Sequence, residues 1–200
     1  MKHGLALDEG FGIDVIYLDY RKAFDTVPHN RLMLKLMKLG LPDNMLRYIR
    51  NFITGRKSKM RVGLRGNFSE WAEVLGGVPQ GSILGPLLFL LFVNDLPDWI
   101  KSEMRMFVDD TKLWCKIGHV NDSILLQNDL RQLEHWTEKW QLALNTDKCK
   151  VLHIGHDHAT AYELQHNGKP RVLDESYEGK DLCVCVSTDL KPSTQCIVSK

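Results

Sequence analysis

The sequence has no apolar run long enough to cross a bilayer. The longest, residues 83–93, is about half of the roughly 20 residues a membrane helix needs. Its N-terminus lacks a basic stretch followed by an apolar one, so no secretory signal is expected. A disulfide framework is equally excluded. The five cysteines (Cys115, Cys149, Cys183, Cys185 and Cys196) are odd in number and scattered, with no C-x-x-C pair. Reduced thiols in an intracellular setting, nuclear or cytoplasmic, are expected, with no membrane partner. There is no internal repeat, no low-complexity tract and no clear linker. What is present is an ordinary globular composition over 200 residues, 44% hydrophobic and 26% charged. That is enough to bury a core, as one domain or a large piece of a bigger enzyme.

Net charge is also nearly absent, at +1, but the average hides an asymmetry. Residues 21–65 hold twelve Lys or Arg against Asp25 and Asp43, a local +10 set against −9 elsewhere. Residues 47–65 carry seven cations and no acid. Such a stretch suits a polyanion track or a solvated helix face, and charge alone leaves both open.

Residues 14–19 form a short β-rich apolar run ending on a carboxylate, the pattern of a buried strand that delivers Asp19 at its end. Leu32, Met33, Leu36 and Met37 recur at helical spacing, with Gly40 as the stop. A second helix opens at Asp43 and carries Met45, Ile49, Phe52 and Ile53, stopped by Gly55. Residues 57–62 and 68–74 alternate and read as a hairpin around 63–67. Residues 76–82 can only be a loop. They lead into a helix over about 84–96 that is apolar all round and therefore expected to be buried. Residues 105–115 read as two strands meeting at Asp109 and Asp110. Leu126, Leu130, Leu133, Thr137 and Trp140 trace one face of a long helix, which Trp136 and Trp140 are expected to pin to a sheet. Short strands come next in 142–154, 162–164, 171–173 and 182–186. This order argues for an α+β fold with an antiparallel sheet.

Asp19, Asp109 and Asp110 stand out by their settings. Two adjacent ionised acids repel, so a positive group must compensate or one must hold a proton. Side chains of neighbouring strand residues point to opposite faces, so a tight turn is required to bring the pair together. Carboxylate oxygens with room for water and phosphate suit Mg²⁺. A pair of such ions can clamp the attacking and leaving oxygens of a phosphoryl transfer. The plain alternative is that Asp109 and Asp110 are simply turn residues.

Residues 17–29, YLDYRKAFDTVPH, resemble the first catalytic motif of reverse transcriptases from non-LTR (LINE-type, jockey-like) retrotransposons. GVPQGSILGPLLF (77–89) with NDLP (94–97) is similar to the second, FVDDTKL (107–113) to the third, and WTEKWQL (136–142) with NTDKCKV (145–151) to the fourth. DL at 181–182 and DLKP at 189–192 resemble the family's sequence beyond its fourth motif. Four motifs in order are far more specific than any one of them. Val108 stands where this family commonly has alanine, Tyr20-Arg21 where Phe-Ser is common, and Cys183 where a glycine usually succeeds Leu.

The resemblance implies a right-hand polymerase palm with an antiparallel sheet and packed helices. The fingers would be largely absent, with 18 residues before Asp19, and the thumb missing or truncated. Residues 1–160 would be the palm and 161–200 post-palm, primer-grip-like strands. The implied activity is RNA-directed DNA synthesis, weak or absent in isolation. Its partners would be an RNA template, a DNA primer and dNTP, with missing parts supplied by a partner chain or further exons. Asp19, Asp109 and Asp110, with the carbonyl of Tyr20, would hold two Mg²⁺ ions, Mn²⁺ being the substitute. Phe24 would exclude a ribose 2′-OH, and Gln80 and Gly81 would position nucleotide and template. Lys148 would protonate the diphosphate leaving group, although Lys150 lies close by. Arg56, Lys57, Lys59 and Arg61 would track the phosphate backbone. A non-catalytic RNA/DNA-binding remnant is the alternative. His153, His156, His158 and His166, with Cys183 and Cys185, do not jointly satisfy zinc-ligand spacings, so a structural zinc is the lesser reading and surface histidines with buried strand thiols the expected one.

Overall fold

The computed structural model of the chain describes residues 10–54, 63–64, 67–68, 76–156, 160–181 and 184–188. Eleven strands lie within them. They are β1 (Gly12–Leu18), β2 (Gly63–Leu64), β3 (Asn67–Phe68), β4 (Glu103–Phe107), β5 (Asp110–Ile117), β6 (Lys150–Ile154), β7 (Glu163–His166), β8 (Lys169–Val172), β9 (Asp174–Glu175), β10 (Glu178–Asp181) and β11 (Val184–Ser187). The chain divides into two compact units: one of Met1–Tyr20, Leu96–Glu138 and Ala143–Lys200, the other of Arg21–Asp95 and Lys139–Leu142.

The first unit is organised by a five-stranded sheet in the order β4-β5-β1-β6-β9, antiparallel except for the β6–β9 pair. β1 is central and buried on both faces, which is why its sequence reads as a continuous apolar run rather than an alternation. Ile13 and Val15 pack with Leu152 and Ile154 on one face, joined by Tyr17, Trp114 and Val186. On the other face Ile16 stands between Leu113 and Val151, all three sealed from solvent. The long helix Val120–Trp140 starts where the Asp122 carboxylate accepts the backbone N–H groups of Gly118 and His119 at 2.9 and 2.8 Å. Those two hydrogen bonds hold Asp122 below the usual carboxylate range. Leu126, Leu130, Leu133 and Trp136 form its fully buried face, as their spacing predicts. β7 and β8 join through Asn167 and Gly168, both at positive φ, as a two-residue turn with the strands' own twist requires.

The second unit contains the helices Ala23–Thr26, His29–Lys38, Asp43–Thr54 and Leu84–Val93. Leu32, Met33 and Leu36 are buried, while Met37 is exposed. On the next helix Ile49 and Ile53 face inward; Arg47 and Arg50 are exposed. The helix Leu84–Val93 departs from the expectation of full burial. Leu88, Phe89, Phe92 and Val93 are sealed, but Leu87 and Leu90 are about half exposed, so the described residues cover one face of the helix. Trp140 departs as well: it meets Phe92 edge-on at 6.2 Å and offers its ring to the Lys35 ammonium at 3.9 Å, so it serves the helices rather than the sheet. β2 and β3 pair across the expected loop 63–67, with Phe68 the first residue of the second expected strand, 68–74. The expected strands at 57–62 and 69–74 lie outside the described residues, as do Arg56, Lys57, Lys59 and Arg61.

Lys35 is nearly fully buried, donating to the Phe92 carbonyl at 2.5 Å and to the Asp95 carboxylate. Burial drives its pKa down to about 8, against the pull of Asp95. The folded chain therefore gives up this proton near pH 8, whereas a solvated lysine holds it to 10.5. Between those values the unfolded state binds more protons, so Lys35 adds stability as pH rises. Urea titrations from pH 7 to 10 are expected to show the parent gaining on Lys35→Met across that window.

Candidate active site

The register of the sheet assembles one charged face. Tyr17 stands opposite Lys112 on β5 and Lys150 on β6, and Lys112 stands opposite Arg105 on β4. Paired residues share a face, so these four make a row across four strands. Two residues further along each chain come Asp19 after β1, Asp110 at the head of β5 and Lys148 before β6. Leu18 pairs with Thr111, so the next rung places Asp19 across from Asp110. All seven line one cavity of about 530 Å³, together with Leu18, Met106, Phe107 and Thr111. Four cations thus surround two carboxylates.

Asp19 is held from one side by the turn 145–149. Its carboxylate accepts from Asn145 Nδ2 at 3.0 Å, and its carbonyl from the Asn145 N–H at 2.8 Å. Its own N–H points to Cys149 Sγ at 3.5 Å. Burial pushes the Cys149 thiol up to about 11, so it stays a neutral thiol behind the carboxylate. Lys148 Nζ is 3.8 Å from Asp19 Oδ2 and largely exposed. Lys150 is engaged elsewhere, donating to the Glu178 carbonyl at 3.1 Å and facing Ser176 Oγ at 3.4 Å. Of the two neighbouring lysines, Lys148 is the one that faces Asp19. Tyr20 is buried and bridges to Leu144; burial raises its hydroxyl far above the ordinary phenol range.

Asp109 sits beside this cavity in the β4–β5 turn, exposed and not among the lining residues. The alternation of neighbouring side chains explains the split from Asp110. The turn is made by Val108 and Asp109 between the paired Phe107 and Asp110, with Val108 at φ 58. That left-handed conformation is unfavourable for a β-branched residue.

In the second unit, Phe24 stacks on Phe89 at 4.8 Å. The segments of the first two motifs are tied here through backbone atoms: Gly77 N–H to the Val27 carbonyl at 2.8 Å, and Val78 N–H to the Phe24 carbonyl at 2.7 Å. His29 Nε2 approaches the Gly77 carbonyl at 2.7 Å. Gly77 has φ +89, and a Cβ there would stand 2.7 Å from the Asp25 carbonyl oxygen. Gln80 donates to Asp25 at 3.3 Å, and Gly81, at φ +79, has open space where a side chain would be.

Sequence reasoning missed Arg105 and Lys112, whose signal is the strand pairing and not the motif. It also misread two histidines. His153 and His156 are nearly buried, not surface residues, because both turn inward onto Asp14. Burial works to raise the Asp14 pKa, but hydrogen bonds from His153 and Tyr162 and the charges of His153 and His156 outweigh it and hold it low. His166 meets Thr146; His158 and Cys183 lie outside the described residues, as does the Cys185 side chain.

Residues 14–185 match the family described as reverse transcriptase (RNA-dependent DNA polymerase), and the chain belongs to that family. Its homologues are non-LTR retrotransposon polymerases. It is 32% identical over 157 residues to the probable RNA-directed DNA polymerase from transposon BS of Drosophila melanogaster, covering 74% of this chain and 17% of that protein. It is 32% identical over 146 residues to the RNA-directed DNA polymerase from mobile element jockey of the same fly, covering 66% and 15%. The chain thus spans about one sixth of the length of these relatives. Among solved structures, apo telomerase from Candida tropicalis truncated of its C-terminal domain superposes with a TM-score of 0.60 at 12% identity, covering 94% of this chain and 38% of that one. That likeness carries the fold, an α+β palm.

Two substitutions probe the local geometry. Gly77→Ala is expected to cost about 2–3 kcal/mol in chemical denaturation, from the clash and the left-handed φ together. Val108→Asn is expected to gain about 1 kcal/mol, since asparagine tolerates that conformation.

Proposed function

We propose that the chain is the palm portion of an RNA-directed DNA polymerase that extends a DNA primer on an RNA template by nucleotidyl transfer. The observation that carries this reading is the shared cavity of Asp19 and Asp110, with Lys148 3.8 Å from Asp19. The donors fit a hard divalent ion: they are solvent-accessible carboxylate oxygens in an open cavity with room for water and phosphate. Asp19, Asp110 and the adjacent Asp109, with the Tyr20 carbonyl, would hold two Mg²⁺ ions, or Mn²⁺. Such ions, when bound, supply Lewis-acid stabilisation of the attacking and departing oxygens.

The protein's own groups account for the rest. Lys148 brings a cation and a proton to the departing diphosphate. Arg105 and Lys112 add positive charge along the same face, which suits the phosphates of a bound duplex. Phe24 limits the sugar to deoxyribose, while Gln80 and Gly81 position nucleotide and template, roles that rest on the family resemblance. Arg56, Lys57, Lys59 and Arg61 would contact the phosphate backbone, a role that rests on their charge and the family resemblance. Residues 161–200 would form the post-palm region, as the family resemblance implies. The site of action is intracellular, nuclear or cytoplasmic. Incorporation by the 200-residue chain is expected to be weak.

The cation-rich rim also favours a second reading, a non-catalytic RNA/DNA-binding remnant. Extension of oligo(dT) on poly(A), titrated with Mg²⁺ and Mn²⁺, separates the two. Slow metal-dependent incorporation is expected, lost in Asp19→Asn and Asp109→Asn and about 100-fold slower in Lys148→Ala. Template binding that is equal in all of these chains, indifferent to metal and without incorporation, would leave the second reading standing.

A further inference from the structure

The far end of β1 holds a second set of donor groups that polymerisation does not use. Asp14 is fully buried and lies five residues before Asp19, roughly 16 Å away along an extended strand. Its Oδ1 is 2.5 Å from His153 Nδ1 and 2.8 Å from His156 Nε2. The other oxygen, Oδ2, accepts the Tyr162 hydroxyl at 2.5 Å. The three ligand atoms, one each from Asp14, His153 and His156, all lie within 4.8 Å of one another.

Several observations mark this as a built site. Both imidazoles converge on one carboxylate oxygen, while the second oxygen is fixed from behind by Tyr162. Outer-shell hydrogen bonding of that kind is how a ligating carboxylate is oriented. The space for the His156 ring exists because residue 12 is glycine: a Cβ there would stand 1.9 Å from His156 Cδ2. One carboxylate and two imidazoles suit a borderline first-row cation and not Mg²⁺, which prefers oxygen throughout. To reach the edge of a tetrahedron with bonds of about 2.0–2.1 Å, the two oxygen–nitrogen pairs need to part by less than roughly 1 Å, and the two imidazole nitrogens, within 4.8 Å of each other, need to close by at most roughly 1.5 Å.

We propose that Asp14, His153 and His156 bind a Zn²⁺ ion, with water in the fourth position, as a structural site separate from the polymerase cavity. The ion ties the start of β1 to the end of β6 and the residues just beyond it, closing the sheet at the end away from Asp19. Cys115, opposite Asp14 on β5, lies outside the ligand cluster, so the site carries no thiolate.

The test takes the 200-residue chain, strips it with EDTA and supplies Zn²⁺ or Co²⁺. The expected result is a single equivalent of Zn²⁺ retained through gel filtration, a higher melting temperature with Zn²⁺ than in EDTA, and Co²⁺ d–d bands without thiolate charge transfer. His156→Gln is expected to lose the retained metal and the difference in melting between Zn²⁺ and EDTA, a shift read within each protein so that any metal-independent loss of stability cancels. Asp14→Asn risks the fold itself, so the parent's Co²⁺ spectrum provides the independent readout. Failure of the parent to retain Zn²⁺, equal retention by His156→Gln, or a thiolate band would overturn the proposal. Metal content is read here, not incorporation, so such a failure leaves the polymerase reading intact.

Discussion

The antiparallel register between β1 and β5 is the constraint on which the rest depends. With Leu18 against Thr111 and Tyr17 against Lys112, one face of the sheet collects Arg105, Lys112, Tyr17 and Lys150, then Asp19, Asp110 and Lys148. The opposite face collects Ile16, Leu113 and Val151, which are dry. Strand side chains alternate with a period of two, so a slip of one residue would exchange these faces. It would drive lysines and carboxylates into the core and put isoleucine in the cavity. The buried apolar row thus fixes where the charged row stands, and core packing and site geometry are a single choice.

Much of this was legible in the sequence, and for identifiable reasons. The strand ending at Asp19, the long helix with Leu126, Leu130 and Leu133 inward, and the pair of strands meeting at Asp109 and Asp110 all come from local periodicity. The family could be read from four motifs in order. The expected fold, α+β with an antiparallel sheet, is the one observed, with a single parallel pair at β6–β9.

What local patterns could not carry was partnership between distant segments. Arg105 and Lys112 belong to the cavity because of a strand pairing that no motif encodes. Asp14 was passed over as the first residue of an apolar run; only the fold brings it His153 and His156 from about 140 residues away. Trp140 and Lys35 likewise needed tertiary structure, since a lysine at helical spacing reads as surface until a ring and a carboxylate are found around it. The helix Leu84–Val93 shows the opposite failure: composition announced burial on every side, yet packing covers one side.

The tie between the first two motifs is made by main-chain atoms, from Gly77 and Val78 to Val27 and Phe24. Such a clamp is indifferent to which side chains hang from it. Volume-conserving substitutions at the buried positions 27 and 78 can accumulate while the peptide groups keep meeting in the same way, and only the loss of the one residue without a Cβ separates them. An architecture joined at such points can be held by chains that share little spelling, and its tolerance of drift is set by a few peptide planes more than by its composition.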